Sequence, residues 1–511
     1  MFSKKSFSDQ VAECFIDQRA RFATIQFLII FLGSIANTQV RFVAPIEQAG
    51  YQRITSYDSL QAFLKDVAST AYIHVEPLTK TRAGRMVSVA KVSSSKTFGQ
   101  DTSKIRVLLF AQQHGDEPTG KEALSLLLAK FASGESRGIL DNMDLLIVPQ
   151  MNPDGGELHQ RRTSDGIDLN RNHVLLTSPE TRALHDLFYE WMPQVTMDIH
   201  EYTSFSRSWS DSGFIRIADV QLGMLTNLNT APEIRDLQHK RIFPFIAEKM
   251  KGRDFYFQEY IVGSPGDRIR HSTTEINDGR QGFGILGTVS FIQEGRRWKT
   301  NEDHLQRRVL SQLASIEALL EYCAKDAQNI KQIVYNERCR LLALAGETIA
   351  LRMDHYRGDG EMYIPVRMLK TDRDSTWRVK PYYGEVRLSK STLLPQKYLL
   401  ERKDSAIVEL LHHHHINVDV VRHETRMNTS SYFIDSVGRS GIEENALPLV
   451  SVSCRQVNTT LRQGDFTIPT GQLQSVLLAI ILEPESMWGL TRYEPFAYVL
   501  TGKRYPVLRI P

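Results

Sequence analysis

The stretch Ile105–Gly120, IRVLLFAQQHGDEPTG, decides how the chain around it is read. Ile105 to Phe110 is a run of apolar, β-prone residues. It ends in Gln112 and Gln113, and His114, Gly115, Asp116, Glu117 and Pro118 follow. From Lys121 to Phe131 the apolar residues return with helical spacing. The reading is a buried strand that hands over to a helix, with His114 and Glu117 on the connecting loop. In open α/β sheets, ligands bind at the carboxyl ends of strands. An imidazole and a carboxylate three positions apart can grip one divalent ion from such a loop.

Three more apolar runs end the same way. Leu145–Gln150 stops at the breaker cluster Met151-Asn152-Pro153-Asp154-Gly155-Gly156, Val195–Ile199 stops at His200, and Thr288–Ile292 is followed by Glu294. Helical patterns over Thr55–Ala71, Ser178–Trp191 and Asn301–Lys325 lie before, between and after these runs. Alternating strands and helices predict an α/β sandwich. Beyond Gln328 short strand-like pieces are separated by turns such as Arg357-Gly358-Asp359-Gly360. The expected organisation is a signal peptide or membrane anchor over 1–36, a catalytic domain over 45–325 and a β-rich domain over 330–511. His412–His415 is read as surface strand or loop.

Composition narrows the function. Across 511 residues, 62 Lys and Arg against 59 Asp and Glu leave a net charge of +3, with no long basic run, so no nucleic-acid partner is expected. The cysteines Cys14, Cys323, Cys339 and Cys454 are far apart and form no CxxC pair. A metal site must therefore use His and carboxylate. At the N-terminus, Lys4, Lys5, Arg19 and Arg21 precede an apolar run from Phe22 to Ile35, and Ala36 follows. That pattern predicts export to the periplasm or medium with cleavage near Ala36. The membrane is a partner only if residues 22–36 stay attached as an anchor.

A catalytic zinc site keeps three protein ligands and one open position, and zinc lowers the pKa of a bound water to about 7. His114 and Glu117 supply two ligands, and His200, at another strand end, suits the third. Glu294 lies outside the ligand set and suits a general base. Arg161 or Arg162 could stabilise an oxyanion, and Asn170 with Arg171 could hold a carboxylate. Asp168 is a candidate to receive the other N–H of a ligating imidazole.

These residues resemble the zinc metallocarboxypeptidases of the carboxypeptidase A type. The matching pieces are His114-Gly-Asp-Glu117, Asn152-Pro-Asp-Gly155, Asp168-Leu-Asn-Arg171-Asn172, Ile199-His200 and Glu294, in the family's order, within Tyr51–Lys325. The resemblance implies a mixed eight-stranded sheet sandwiched by helices. It implies one zinc ion on His114, Glu117 and His200, with Glu294 as base. Arg162 would polarise the scissile carbonyl, with Arg161 as the other register. Asn170 and Arg171 would clamp the substrate's C-terminal carboxylate, and Asp168 would orient His114. The family also uses a mobile Tyr upstream of the base. No Tyr lies between Tyr260 and Glu294, so Tyr260 could serve only through a longer loop. Arg280 falls near the part of the family that lines the side-chain pocket and is expected to bind an acidic group. The implied activity is hydrolysis of peptide amide bonds in substrates with a free carboxylate. An N-acyl amino acid deacylase and a non-catalytic peptide-binding relative are the alternatives.

Overall fold

Apolar runs long enough for a strand, each closed by turn residues, build the sheet that carries the site. The computed structural model describes residues 41–442 and 445–511. The predicted signal or anchor segment and Cys14 lie outside the described residues. Among the described residues, no helix is long and apolar enough to cross a membrane.

Eight strands form one mixed sheet: β1 (Ile73–Lys80), β2 (Met86–Val92), β3 (Ile105–Ala111), β4 (Met143–Val148), β5 (Val195–Thr203), β6 (Val220–Gly223), β7 (Phe257–Glu259) and β8 (Val289–Arg297). They lie in the order β1-β2-β4-β3-β5-β8-β6-β7. The four central strands β4, β3, β5 and β8 run parallel. β2 and β6 flank them antiparallel. Every residue of β4 is buried, and in β3 only Arg106 is partly exposed. Such near-continuous apolar strands are what a parallel sheet covered on both faces demands. The expected eight-stranded α/β architecture is the one observed.

From β3 the chain steps to one side to form β4, then returns past β3 to form β5 on the other side. The carboxyl ends of β3 and β5 therefore open a crevice at a topological switch point. The loop with His114 and Glu117 leaves β3 there, and His200 sits in the outgoing half of β5. Parallel pairing of β5 with β8 sets Glu294 in register with His200.

The later part of the chain is β-rich, with a six-stranded sheet from segments between 397 and 510. It opens with a helix, however. Ala327–Leu342 covers the stretch read as the start of a β domain. Its buried residues Ile330, Val334 and Leu341 recur at helical spacing. Two small sheets mix residues from before and after 330. Phe214–Arg216 pairs with Met362–Met368, and Ile269–His271 pairs with Tyr382–Tyr383. One apolar cluster likewise joins Val174, Ile276 and Ile285 to Leu341, Leu411 and Leu478. The histidine run is only half loop: His412 and His413 end the helix Ser405–His413, His414 and His415 form the turn beyond it, and His414 turns inward and is buried.

Candidate metal centre and substrate cavity

The site begins with a backbone contact that only glycine permits. Beyond β3, Gln112 takes φ 56° and the loop turns back toward the breaker cluster after β4. A Cβ on Gly115 would lie 2.1 Å from the carbonyl carbon of Gly155 and 2.4 Å from the nitrogen of Gly156. The two loops touch because neither carries a side chain there. Asn152 fastens them. Its Oδ1 accepts from the Gly155 N–H at 2.8 Å, and its Nδ2 donates to the carbonyls of Gln113 at 3.2 Å and Arg161 at 3.3 Å. The turn after β4 thus holds both the His114 loop and the arginine stretch.

Three donor groups converge in the crevice. His114 Nδ1 lies 2.9 Å from Glu117 Oε1 and 3.1 Å from His200 Nδ1, and His200 Nδ1 lies 2.8 Å from Glu117 Oε2. Donor atoms of the three residues all fall within 4.8 Å of one another, and all three residues are buried. Each imidazole presents its other nitrogen to a carboxylate. His114 Nε2 is 3.1 Å from Asp168 Oδ1, and His200 Nε2 is 2.9 Å from Asp198 Oδ1. Sequence reasoning named Asp168 and missed Asp198. The signal was present: residues two apart on a strand share a face, and Asp198 is two before His200.

The electrostatics favour a cation at the centre. Burial alone would raise the Glu117 carboxyl, but His114 and hydrogen bonds from both imidazoles hold it well below the usual range. Burial opposes charge on His200, yet Asp198 and Glu117 raise its pKa well above the ordinary imidazole value. Two imidazole nitrogens and a carboxylate in a negative, dry cage match the donors zinc prefers, and the carboxylates behind the imidazoles would fix their orientation. Glu294, buried beside this cage, is pushed up to about 7 chiefly by burial, with His200 pulling down and Glu117 pushing up. A carboxyl poised near neutrality is suited to taking and returning a proton.

A cavity of about 330 Å³ opens on these groups, and Arg161, Asn170, Arg171 and Tyr260 line it with them. Arg161 is the arginine at the site. Its Nη1 lies 3.2 Å from His114 Nδ1 and its Nε donates to Asp168 Oδ2 at 2.9 Å. Arg162 points away and donates to the Gly166 carbonyl at 3.0 Å, so the register expected from the sequence is corrected by one residue. Asn152 and Gly115 hold the Arg161 carbonyl, which fixes the backbone from which its side chain faces the cage. Asn170 Oδ1 accepts from the Gly279 N–H at 2.9 Å, and its Nδ2 lies 3.2 Å from His200 Nε2. Arg171 Nη1 donates to the Asn170 carbonyl at 2.9 Å.

Arg280 does not line the cavity. It is fully buried behind it, with Nη2 donating to Asp278 Oδ2 at 2.9 Å and Thr273 Oγ1 at 2.8 Å, and Nη1 bonded to Ser272 Oγ. Asp278 and Thr273, its partners, face the cavity instead. The correction has a plain cause: the guanidinium is fully buried, its two Nη groups are bonded to Asp278, Thr273 and Ser272, and it has no route to substrate. Tyr260 does reach the site, directly after β7. The connection from there to β8 includes the short strands Ile261–Val262 and Ile269–His271 and the helix Gly279–Gly284. Burial first, then the nearby Glu294, raises the Tyr260 phenol.

The family model and the sequence relatives point the same way. Residues 60–213 match the family model described as zinc carboxypeptidase. Carboxypeptidase 2 of Trichophyton rubrum is 25% identical over 478 residues, 89% of this chain and 86% of that protein. Carboxypeptidase 2 of Trichophyton tonsurans is 24% identical over 447 residues, 84% of this chain and 81% of that protein. Among solved structures, the carboxypeptidase A of Helicoverpa armigera matches 63% of this chain and 88% of its own, at 16% identity and a TM-score of 0.43.

Proposed function

We propose that this chain, which belongs to the zinc carboxypeptidase family through the domain matched at 60–213, removes C-terminal residues from peptides with Glu294 as its general base. The observation that carries the reading is the convergence of His114, Glu117 and His200 on one point, with Glu294 and a guanidinium on the same cavity. The three ligand candidates would hold one zinc ion, which when bound supplies Lewis acidity toward water and the scissile carbonyl.

The chain's own groups do the rest. Arg171 and the Asn170 amide hold the terminal carboxylate, the arginine through a charge-assisted pair. Arg161, tied by Asp168, presents positive charge at the rim where the carbonyl oxygen becomes negative. Glu294 takes the proton of the attacking water and returns it to the departing amine. Tyr260 and the burial of the cage keep bulk water from competing. Asp168 and Asp198 set the tautomers of the two imidazoles and keep Nδ1 of each bare toward the ion. The N-terminal apolar run directs the protein out of the cytoplasm.

The test is Glu294→Gln. Zinc content, by metal analysis, should be unchanged. Turnover of a blocked dipeptide should fall by about 10²–10⁴-fold, the usual worth of a general base. Unchanged turnover would remove Glu294 from the mechanism. A wild-type protein that cleaves N-acyl amino acids and leaves peptides intact would replace the peptidase reading with the deacylase one.

A further inference from the structure

A second cavity of about 570 Å³ adjoins the first. Asp116, Thr203 and Arg297 line both. None of Asn170, Arg171 and Tyr260, which line the first, lines the second. If the terminal carboxylate is held at Asn170 and Arg171, the shared wall gives the peptide a way past the cage into the second cavity. The strands that deliver the catalytic groups deliver this wall too. Thr203 is in register with Arg297 on β5 and β8, three positions beyond His200 and Glu294. Trp298 and Phe205 follow at once.

The lining is aromatic and cationic. The Phe205 and Trp298 rings lie 5.3 Å apart, centroid to centroid. The Lys299 ammonium lies 5.0 Å from the Phe205 centroid, and the Arg296 guanidinium lies 3.8 Å from that of Trp298. Arg297 is neutralised by Asp116 at 2.7 Å. Among the described residues, no salt bridge joins Lys299 to a carboxylate, so its charge is available to a ligand.

We propose that Phe205, Trp298 and Lys299 form a subsite for the substrate chain N-terminal to the cleaved bond, and that it selects an acidic side chain. This rests on the carboxypeptidase reading above and names the substrate class for it. A Glu side chain would lay its methylenes on Phe205 and its carboxylate against Lys299. A Lys side chain would meet Lys299 and, behind Trp298, Arg296. Trp298 is four residues beyond Glu294, about 13 Å along a strand at 3.3 Å per residue, so an extended substrate reaches it with the third or fourth residue upstream of the bond.

The experiment uses the purified zinc-loaded full chain and hexapeptides with one fixed C-terminal residue. A single Glu or Lys is moved through the second to fifth positions upstream of the bond. For wild type, kcat/KM should favour Glu over Lys about tenfold, with the maximum at the third or fourth position. Lys299→Glu, an exposed change, should invert that ratio at the same positions. Phe205→Ala should lower kcat/KM for the Glu peptide and bring the ratio toward one. A blocked dipeptide, too short to reach the subsite, should be cleaved equally by all three proteins. A Glu:Lys ratio untouched by Lys299→Glu, or equal at every position, would overturn the subsite while dipeptide cleavage left the carboxypeptidase reading standing. Wild-type protein that cleaves neither dipeptide nor hexapeptide would fail that reading itself.

Discussion

Two groups of buried histidines, linked through Gln113, are treated in opposite ways in this molecule. His114 and His200 sit among Glu117, Asp168 and Asp198, and the pKa of His200 is raised well above the imidazole value. His173, His185 and His414 are equally buried but bond to neutral groups, and burial pushes His173 and His414 down to about 4. His185 is lowered well below its usual value for the same reason. Burial is shared by the two groups, so burial does not decide their charge. Adjacent carboxylates do.

The neutral group has its tautomers dictated by its neighbours. Gln113 Nε2 donates to Asp198 Oδ2 at 2.8 Å, which leaves Gln113 Oε1 to accept from His173 Nε2 at 3.0 Å. His173 Nδ1 is then bare and accepts from His185 Nε2 at 3.0 Å. His414 Nε2 donates to the Val174 carbonyl at 2.7 Å. Among the described residues, the Nδ1 atoms of His185 and His414 have no hydrogen-bond partner, and the two rings lie 5.6 Å apart. One group is a cage with negative walls. The other is a neutral hydrogen-bonded rod between the sheet and the later, β-rich part of the chain. Gln113, next to His114 in sequence, joins them.

The contrast can be broken most severely from the charged side. Glu117→Ala removes a ligand candidate and the charge that steadies both imidazoles, so bound zinc by metal analysis and peptide hydrolysis should both drop to background. Protein that retained stoichiometric zinc would refute the cage. Asp198→Asn leaves the ligands and should weaken zinc affinity by about 10–100-fold in chelator competition, the usual cost of losing a carboxylate behind a ligating His.

From the neutral side the expected effects are on stability. His173 and His414 have folded-state pKa values of about 4, below the unfolded value of about 6.5. Between those pH values only the unfolded chain takes up their protons. Their contribution is therefore complete above pH about 6.5 and is lost as pH falls toward 4, by up to about 3 kcal/mol for each imidazole. Urea unfolding at pH 7 and pH 5 should show that loss in wild type, and His414→Gln should reduce it. A pH-independent midpoint would mean that these imidazoles are solvated. The smallest change is His185→Phe, which removes an orphaned acceptor but deprives His173 Nδ1 of its donor. A destabilisation of about 1–2 kcal/mol with zinc content unchanged is expected. Loss of zinc in that variant would show that the rod supports the cage.

Part of this was legible in the chain itself. The strand exits at His114, Asn152, His200 and Glu294 show because an apolar run that stops at a polar residue is a local pattern, and parallel strands bring such stops to one edge. The helix Ala327–Leu342 was missed although its apolar spacing was present, because turn-rich sequence beyond it set the expectation for the whole region. His414 was read with its three neighbours, and only its packing shows that one member of the run is buried.

The order and identity of the groups that meet in the crevice belong to the sequence: which residue leaves which strand, and the glycine at 115 that lets two loops touch. Which of two adjacent arginines faces the cage, that Arg280 is sealed behind Asp278 and that Tyr260 reaches the cavity were decided by the tertiary structure alone. The physical reason is common to all three. Each depends on the direction of a side chain or the path of a long connection, and those are set by hydrogen-bond partners and packing from residues distant in sequence.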